Sequence, residues 1–400
     1  MASLTRADRT ALLGALALAL ALRCGLAVVA PPLGAAADEA HWERMARVFL
    51  EQGVLATEAG TYRPPLYPLL LAAVYAVGGT GRWTVLLFQS GLAMLTCGLI
   101  YSLACRSGSR RTGLLAAGMA AGYPLLVFFA DVLMAEVLIV LLSVAVLWAY
   151  ASFAACPKPR RSALVGAALG LAALAKPVLL AWGPLLAAGW WWHCRRPPRE
   201  SLVLAGAAAL GVVLVMLPWT LRNAALTGAF VPVSTNAGIN LLVGQQPAAD
   251  GTYQDSVDYQ RLYNALVVPE TDPVRRDRVA VSRLLASMAA DPGRVAALAG
   301  RKLVLLWSPW IADESTARNA IALFSTGPLL LLGCVGLWRL RHQPVAWGVL
   351  SLAVSLSAVH ALFFAHARFR LPADAALMVP AAHVVEGFLS RLRTGRRPPQ

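Results

Sequence analysis

The sequence predicts an all-α integral membrane protein, a bundle of about ten transmembrane helices. Hydrophobic residues make up 58% of the 400 residues and charged residues only 14%, whereas about a quarter of a soluble domain is charged. Apolar runs of about 20 residues, the length that crosses a bilayer as a helix, recur along the chain. Short alternating segments typical of a membrane barrel are missing from the sequence, so helices are the expected spanning element.

The formal net charge of +15 is distributed as in a membrane protein rather than as in a nucleic-acid-binding protein. Basic residues cluster in short loops between apolar runs and in the C-terminal tail, a pattern that marks the cytoplasmic side. They are Arg106, Arg110, Arg111, Lys158, Arg160, Arg161, Arg195, Arg196, Arg199, Arg339, Arg341, Arg391, Arg393, Arg396 and Arg397. We therefore expect both ends of the chain in the cytoplasm and no nucleic-acid partner.

The apolar runs, taken in order, define the predicted spans. These cover residues 10–30, 83–104, 113–130, 133–152, 163–176, 178–193, 202–218, 320–338, 345–364 and 373–389. The run 66–79 is short for a span, and a crossing there would move every later basic loop outside. We expect it to lie at the outer interface or to re-enter the membrane. The run 10–30 also has features of a cleavable signal peptide, which its length and Arg23 disfavour.

The stretch 36–49 places acidic residues directly after the first span. Trp42, Met45 and Phe49 recur at helical spacing, which predicts an amphipathic helix on the outer membrane surface. Asp38 stands at the start of this helix, where an N-cap contributes about 1 kcal/mol, and Glu39 is favoured by the helix dipole. Capping alone would account for both residues. A catalytic role requires other polar groups at the same membrane level.

Such groups stand at the other predicted outer turns. They are Arg63, Asp131, Glu136, Lys176, Arg222, Arg368 and Arg370. An ionisable group inside a membrane is costly, so Glu136, about one turn into the fourth span, is a candidate for function. Several cations at one face suit a phosphate at headgroup depth, and carboxylates beside them suit proton abstraction. The alternative for each residue is a snorkelling anchor or an intramolecular ion pair.

The order of these motifs resembles that of the GT-C class of polyprenyl-phosphate-dependent glycosyltransferases. After the acidic pair come "RPPLYP", "AKP", "PWTLRN", "STNAGINL" and "ARFRLP". The most similar group is that of protein O-mannosyltransferases and aminoarabinose transferases, with its bacterial members. The resemblance covers roughly residues 10–385 and implies a GT-C-like bundle with interfacial helices in the first outer loop and a helical outer segment.

The resemblance implies an inverting glycosyltransferase that moves a sugar from a polyprenyl-phosphate donor to an acceptor hydroxyl on the outer face. Asp38 would be the general base that deprotonates the acceptor, with Glu39 as its alternative or helper. Residues assigned to binding of the acceptor or the sugar are Glu136, Asp131, His41 and Asn240. Residues assigned to the donor phosphate are Arg63, Lys176, Arg222, Arg368 and Arg370.

The resemblance implies no certain cofactor beyond the lipid-linked sugar donor. Tyr62 stands where some relatives carry an acid, and the spacing of His41, His360 and His366 defines no metal site. The metal is therefore unknown, and a divalent cation is left open. Expected partners are the lipid-linked donor, membrane lipids and an acceptor that is a glycan, a lipid or a protein.

The predicted organisation has four parts. Residues 1–218 form an N-terminal transmembrane catalytic module that includes the outer loop 31–82, and residues 219–319 form an outer (periplasmic) helical segment. Residues 320–390 form the C-terminal transmembrane helices, and residues 391–400 form a basic cytoplasmic tail. An Ala-, Arg- and Leu-rich composition is typical of bacteria with GC-rich genomes. We expect a multi-pass protein of the bacterial inner membrane whose active site faces the periplasm or exterior.

Two other functions compete with this interpretation. A transporter or flippase of lipid-linked sugars would place polar residues and broken helices near mid-membrane in paired halves. Here the polar groups lie at one face, and the halves show no match, with Arg23 as the exception. A non-catalytic scaffold would keep its function when Asp38 is replaced by Asn.

Overall fold

A computed structural model describes residues 6–29, 37–53, 60–194, 197–253, 257–266, 269–310 and 315–394. Within these ranges every regular element is a helix, which confirms the predicted all-α class. The α-helices are numbered in chain order. The first ten are α1 (Arg6–Val29), α2 (Ala37–Gln52), α3 (Leu66–Gly78), α4 (Arg82–Ser107), α5 (Arg110–Gly122), α6 (Pro124–Phe128), α7 (Glu136–Ala155), α8 (Pro159–Ala175), α9 (Trp182–Cys194) and α10 (Pro198–Thr227).

The remaining helices build the outer segment and the C-terminal spans. They are α11 (Ala237–Gln245), α12 (Val257–Leu266), α13 (Pro273–Ala290), α14 (Pro292–Trp307), α15 (Thr316–Arg339), α16 (Pro344–Leu362) and α17 (Leu371–Thr394). Two short 3-10 helices, Pro177–Ala181 and Ala367–Arg370, precede α9 and α17.

Seven helices in the described ranges are long and apolar enough to cross a membrane, which makes this a multi-pass membrane protein. They are α1, α4, α7, α10, α15, α16 and α17 with its preceding turn. The other three predicted spans correspond to shorter helices: α5 with α6, α8, and α9. Pro124 separates α5 from α6 and Pro177 follows α8, because proline has no N–H to continue a helix and clashes with the preceding turn.

The buried face of α2 follows the predicted apolar stripe. Trp42, Met45 and Ala46 are buried, and the helix packs against α3, the short apolar helix at the predicted interfacial run. On its outer face Glu43 pairs with Arg47 at 2.7 Å. The stripe that the sequence assigned to the membrane surface is therefore covered in large part by protein.

Arg23, the polar residue within the first span, forms hydrogen bonds with the backbone of neighbouring helices. Its guanidinium is buried and donates to the carbonyl oxygens of Ala19 at 2.8 Å, Ala121 at 3.3 Å and Leu126 at 3.3 Å. The break between α5 and α6 leaves carbonyls without helical partners. Arg23 thus satisfies acceptors at that break and stabilises the bundle.

Polar contacts join α13 to α11, and join α11 and α14 to the C-terminal end of α16. Asp277 of α13 accepts from the backbone N–H of Gly238 at 2.6 Å, and burial raises the pKa of its carboxyl group. Lys302 of α14 is buried and donates to the carbonyl oxygen of Leu362 at 3.0 Å, and burial lowers its pKa to about 8. Gln245 of α11 donates to the same oxygen at 2.6 Å. The bonds from Lys302 and Gln245 hold the C-terminal end of α16 in place.

α10 is longer than the predicted seventh span. It continues past Pro218, the predicted boundary of the outer segment, and ends at Thr227 before Gly228, whose φ of 65° places it in the left-handed region that glycine favours. A proline is tolerated inside a membrane helix where neighbouring groups satisfy the backbone. The start of the outer segment is therefore helical.

α8 and α10 form the most extensive helix pair because small residues let their backbones approach closely. A Cβ atom on Gly166 would overlap the backbone of Ala208, and one on Gly211 would overlap the carbonyl of Ala163. Gly206, in the same helix as Gly211, has no atom within 4 Å of the equivalent position.

Gly211→Ala should therefore destabilise the protein by about 1–3 kcal/mol, since the added methyl group overpacks a backbone contact. Gly206→Ala is the matched control and should be neutral or stabilising by about 0.5–1 kcal/mol because alanine favours the helix. The measurement is the thermal unfolding midpoint in detergent. Equal midpoints for the two variants would contradict the close approach of α8 and α10.

Candidate active site

A polar cavity of about 380 Å³ lies where α2, α7, α8, α11 and α16 meet the turn Ala367–Arg370. Its charged and polar lining residues are Arg63, Glu136, Lys176, Asn236, Asn240, His360 and Arg368. Aromatic rings of Trp42, Phe363, Phe364 and Phe369 complete the wall. A larger groove of about 660 Å³ between α8, α9 and α10 has no charged lining residue in the described part of the chain. The smaller cavity is therefore the candidate site.

Glu136 and Arg368 supply opposite charges at the cavity wall. Glu136 occupies the first turn of α7, where the helix dipole favours a carboxylate, and it is only 7% exposed. Arg368 Nε lies 3.6 Å from Glu136 Oε1. The carboxylate and the guanidinium that the sequence placed at two separate outer turns therefore meet in one site.

Lys176 brings a second cation to the same place. It follows the last residue of α8 in an extended conformation, as expected for a residue before proline. Its Nζ lies 4.0 Å from the centroid of the Phe369 ring, and Arg368 Cζ lies 5.2 Å from that centroid. Among the described residues Lys176 forms no ion pair or hydrogen bond. Its charge is thus available to an anion in the cavity.

Arg63 also lines the cavity and stands next to the rigid Pro64-Pro65 pair. Its Cζ is 5.1 Å from the centroid of the Trp42 ring and 5.7 Å from that of Tyr62. Trp42 in turn packs edge-on against Tyr67 with centroids 5.6 Å apart. The guanidinium is thus positioned by cation–π contacts at the cavity rim.

Asp131 and Arg222, two predicted site residues, lie outside the cavity lining. Asp131 Oδ2 accepts from Arg82 Nη2 at 2.6 Å. Arg222 donates to the carbonyl oxygen of Gly60 at 2.6 Å and lies 4.4 Å from the Trp219 ring centroid. Both side chains therefore brace outer loops around the site.

Glu39 and His41 also support the site from outside its lining. Glu39 Oε1 accepts from the backbone N–H of Leu133 at 2.9 Å and so fixes the loop that leads into α7 and Glu136. The His41 ring lies 6.3 Å from those of Trp42 and Tyr62.

Asp38 belongs to α2, but its side chain lies outside the described part of the structure. Its catalytic role stays a prediction.

The cavity lining also includes residues that the sequence did not assign to the site, among them Trp42, Asn236, His360 and Phe369. Trp42 belongs to the apolar stripe of α2, and the motif "STNAGINL" contains Asn236, so both residues could have been found from patterns in the sequence. The sequence analysis considered His360 only for metal spacing, and Phe369 is a single apolar residue between Arg368 and Arg370. Among the described residues, no three His, Cys, Asp or Glu side chains come together as a metal site would require.

Comparisons with known proteins bear on this architecture. Residues 62–219 match the model of the family described as dolichyl-phosphate-mannose-protein mannosyltransferase, and this segment contains Arg63, Glu136 and Lys176. The sequence matches no curated protein.

Two solved structures of Archaeoglobus fulgidus oligosaccharyltransferase, the apo form and a complex with zinc and sulfate, are similar in fold. Their TM-scores are 0.60 and 0.61 at 14% identity, and the alignments cover 98% and 96% of this chain. They cover 53% and 50% of the archaeal chain, so this protein spans about half its length. The protein has a GT-C fold. ArnT from Cupriavidus metallidurans bound to undecaprenyl phosphate aligns over 98% of this chain and 80% of its own, at 13% identity and a TM-score of 0.45.

Within the GT-C fold Arg370, another predicted phosphate ligand, is buried rather than facing the cavity. Its Nε lies 3.1 Å from Asp374 Oδ1, and its Nη1 donates to the carbonyl oxygens of Leu306 and Ser308, both at 2.8 Å. Asp374 also accepts from the hydroxyl of Tyr123 at 2.9 Å. This network fixes the turn Ala367–Arg370, which carries Arg368 and Phe369.

Asp374→Asn should lower the stability of the GT-C fold by about 3–5 kcal/mol because it leaves the Arg370 charge buried without its partner. The matched control is Asp8→Asn, which breaks a 2.7 Å ion pair with the partly exposed Arg110 and should cost less than about 1 kcal/mol. Thermal unfolding in detergent measures both. A larger loss for Asp8→Asn would contradict the structural role of the buried pair.

Proposed function

We propose that the protein is a glycosyltransferase that moves a sugar from a polyprenyl-phosphate donor to an acceptor hydroxyl on the outer face of the membrane. The observation that carries this proposal is the composition of the cavity. It combines the carboxylate of Glu136 with the cations of Arg63, Lys176 and Arg368 at the ends of membrane helices. A phosphate joined to an apolar tail matches this combination of cations and apolar surroundings.

The donor class is supported by two independent facts. The family whose model matches residues 62–219 is named for dolichyl-phosphate mannose, a sugar on a polyprenyl phosphate. Lys176 and Arg368 both lie against the ring of Phe369, where their charges would hold such a phosphate. Both cations would also stabilise the negative charge that grows on the phosphate as it leaves.

The proposed reaction is a direct displacement at the anomeric carbon. Asp38 takes the proton of the acceptor hydroxyl, and the resulting oxygen nucleophile attacks the anomeric carbon of the donor sugar. The new carbon–oxygen bond forms as the bond to the phosphate breaks, and polyprenyl phosphate departs with the electron pair. A single displacement inverts the configuration at that carbon. Glu136, next to Arg368, would hold the sugar or the acceptor.

The distribution of basic loops supports a site on the outer face. The cavity lies at the ends of α8 and α16 that are opposite to the ends preceded by the basic residues Lys158 and Arg341. Positive loops mark the cytoplasmic side, so the cavity would open to the periplasm of a bacterial inner membrane. The acceptor, a glycan, a lipid or a protein, would approach from there.

Asp38→Asn should lower the transfer rate by about 10²–10⁴-fold and leave donor binding intact because an amide cannot take up the acceptor proton. Transfer from dolichyl-phosphate mannose in proteoliposomes, with a membrane extract as acceptor, measures the rate. Glu43→Gln, the same chemical change on the exposed face of the same helix, should transfer like the wild type. A fully active Asp38→Asn protein would rule out the assigned base.

Arg63→Ala should weaken binding of dolichyl phosphate about tenfold or more, since a charge-assisted hydrogen bond contributes about 1.5–3 kcal/mol. Arg47→Ala removes an exposed arginine from α2 and serves as the control. Binding to the protein in nanodiscs is measured by microscale thermophoresis. If both variants bind dolichyl phosphate as the wild type does, Arg63 makes no contact with the phosphate.

A further inference from the structure

His360 lines the cavity, yet the reaction described above gives it no task. The residue lies in the last turn of α16 and is only 4% exposed. Its Nδ1 lies 2.9 Å from the carbonyl oxygen of Phe364. A carbonyl oxygen only accepts hydrogen bonds, so Nδ1 carries the proton, and Nε2 of the neutral ring holds a lone pair.

Nε2 has no hydrogen-bond partner among the described residues, although it is buried. An unsatisfied buried acceptor is costly, so its persistence points to a partner that comes with a ligand. The ring cannot easily turn away from the cavity. It stacks on Phe369 with centroids 4.4 Å apart and planes at 9°, and Lys302 and Gln245 hold the carbonyl of Leu362, two residues further along the chain.

The neighbours of His360 define the chemistry of that partner. The Phe369 ring that it stacks on is also in contact with Lys176 and Arg368, the two cations assigned to the donor phosphate. Phosphate-ester oxygens are acceptors, so they would not bond to the Nε2 lone pair. The group attached to the phosphate is a sugar, whose hydroxyl groups are donors.

We propose that His360 Nε2 accepts a hydrogen bond from a hydroxyl group of the donor sugar. The inference rests on the proposed function, because it takes the phosphate of the donor to lie on Lys176 and Arg368. His360 then determines which lipid-linked sugars bind well, whereas the cations recognise the phosphate that all of them share.

Two substitutions separate this role from a structural one. The amide of His360→Asn can replace Nδ1 as the donor to Phe364 but offers no atom at the position of Nε2. The longer amide of His360→Gln reaches the position of Nε2 with an acceptor oxygen but gives up the bond to Phe364. If Nε2 contacts the ligand, His360→Gln should preserve binding better than His360→Asn. If the role of His360 is structural, His360→Asn should preserve it better.

The measurement is binding of dolichyl-phosphate mannose and of dolichyl phosphate to each protein in nanodiscs. We expect His360→Asn to weaken binding of the mannose lipid about five- to tenfold and to leave dolichyl phosphate unchanged, with His360→Gln close to the wild type. Equal affinity of the wild type and His360→Asn for the mannose lipid overturns the proposal. So does an equal loss for both lipids.

A set of dolichyl-phosphate deoxymannoses, each lacking one hydroxyl group, tests the wild-type protein without any substitution. One member should bind about five- to tenfold more weakly than the parent lipid, and equal binding of all members would also overturn the role of His360. If the wild type binds neither dolichyl-phosphate mannose nor dolichyl phosphate, the proposed function fails together with this inference. Binding of both lipids with no effect of any change at His360 rejects the inference alone.

Discussion

Every charged side chain buried in this apolar bundle must have a polar partner, and this constraint separates structural charges from functional ones. Arg370 pairs with Asp374, and Arg23 is surrounded by backbone carbonyls. An uncompensated buried charge would cost several kcal/mol, so these contacts are conditions for folding. Lys176 lies in the cavity without an ion pair in the described structure, but the carboxylate of Glu136 in the same cavity interacts with it electrostatically. Under the proposed function the donor phosphate would be its direct partner.

The turn Ala367–Arg370 carries one structural and one functional charge, Arg370 and Arg368, separated only by Phe369. Arg370 points into the protein and anchors the turn to Asp374 and to the end of α14, while Arg368 reaches Glu136 at the cavity. Phe369 between them contacts Lys176 and His360. The stability of the buried network therefore sets the geometry of the proposed phosphate and sugar contacts, since both depend on one short segment.

The sequence predicted the parts of this architecture that depend on local pattern. Long apolar runs identified the seven long spanning helices, and helical spacing identified the buried stripe of α2. Glu136, Lys176 and Arg368, which the sequence assigned to one membrane level, line the same cavity, and their roles there stay predictions. The pairing of Arg370 with Asp374 could not be read from spacing, because Arg368 and Arg370 are equivalent in pattern. His360 was missed because the burial of its side chain and the unsatisfied Nε2 depend on tertiary structure, which a sequence pattern does not show.

Photo-crosslinking with a polyprenyl-phosphate analogue that carries a diazirine next to the phosphate tests whether a lipid phosphate lies on Lys176 and Arg368 in the 380 Å³ cavity. We expect labelled peptides that contain residues 175–178 or 363–369, with labelling suppressed by excess dolichyl phosphate. Labelling confined to the apolar groove between α8 and α10, or labelling that dolichyl phosphate does not suppress, would contradict it.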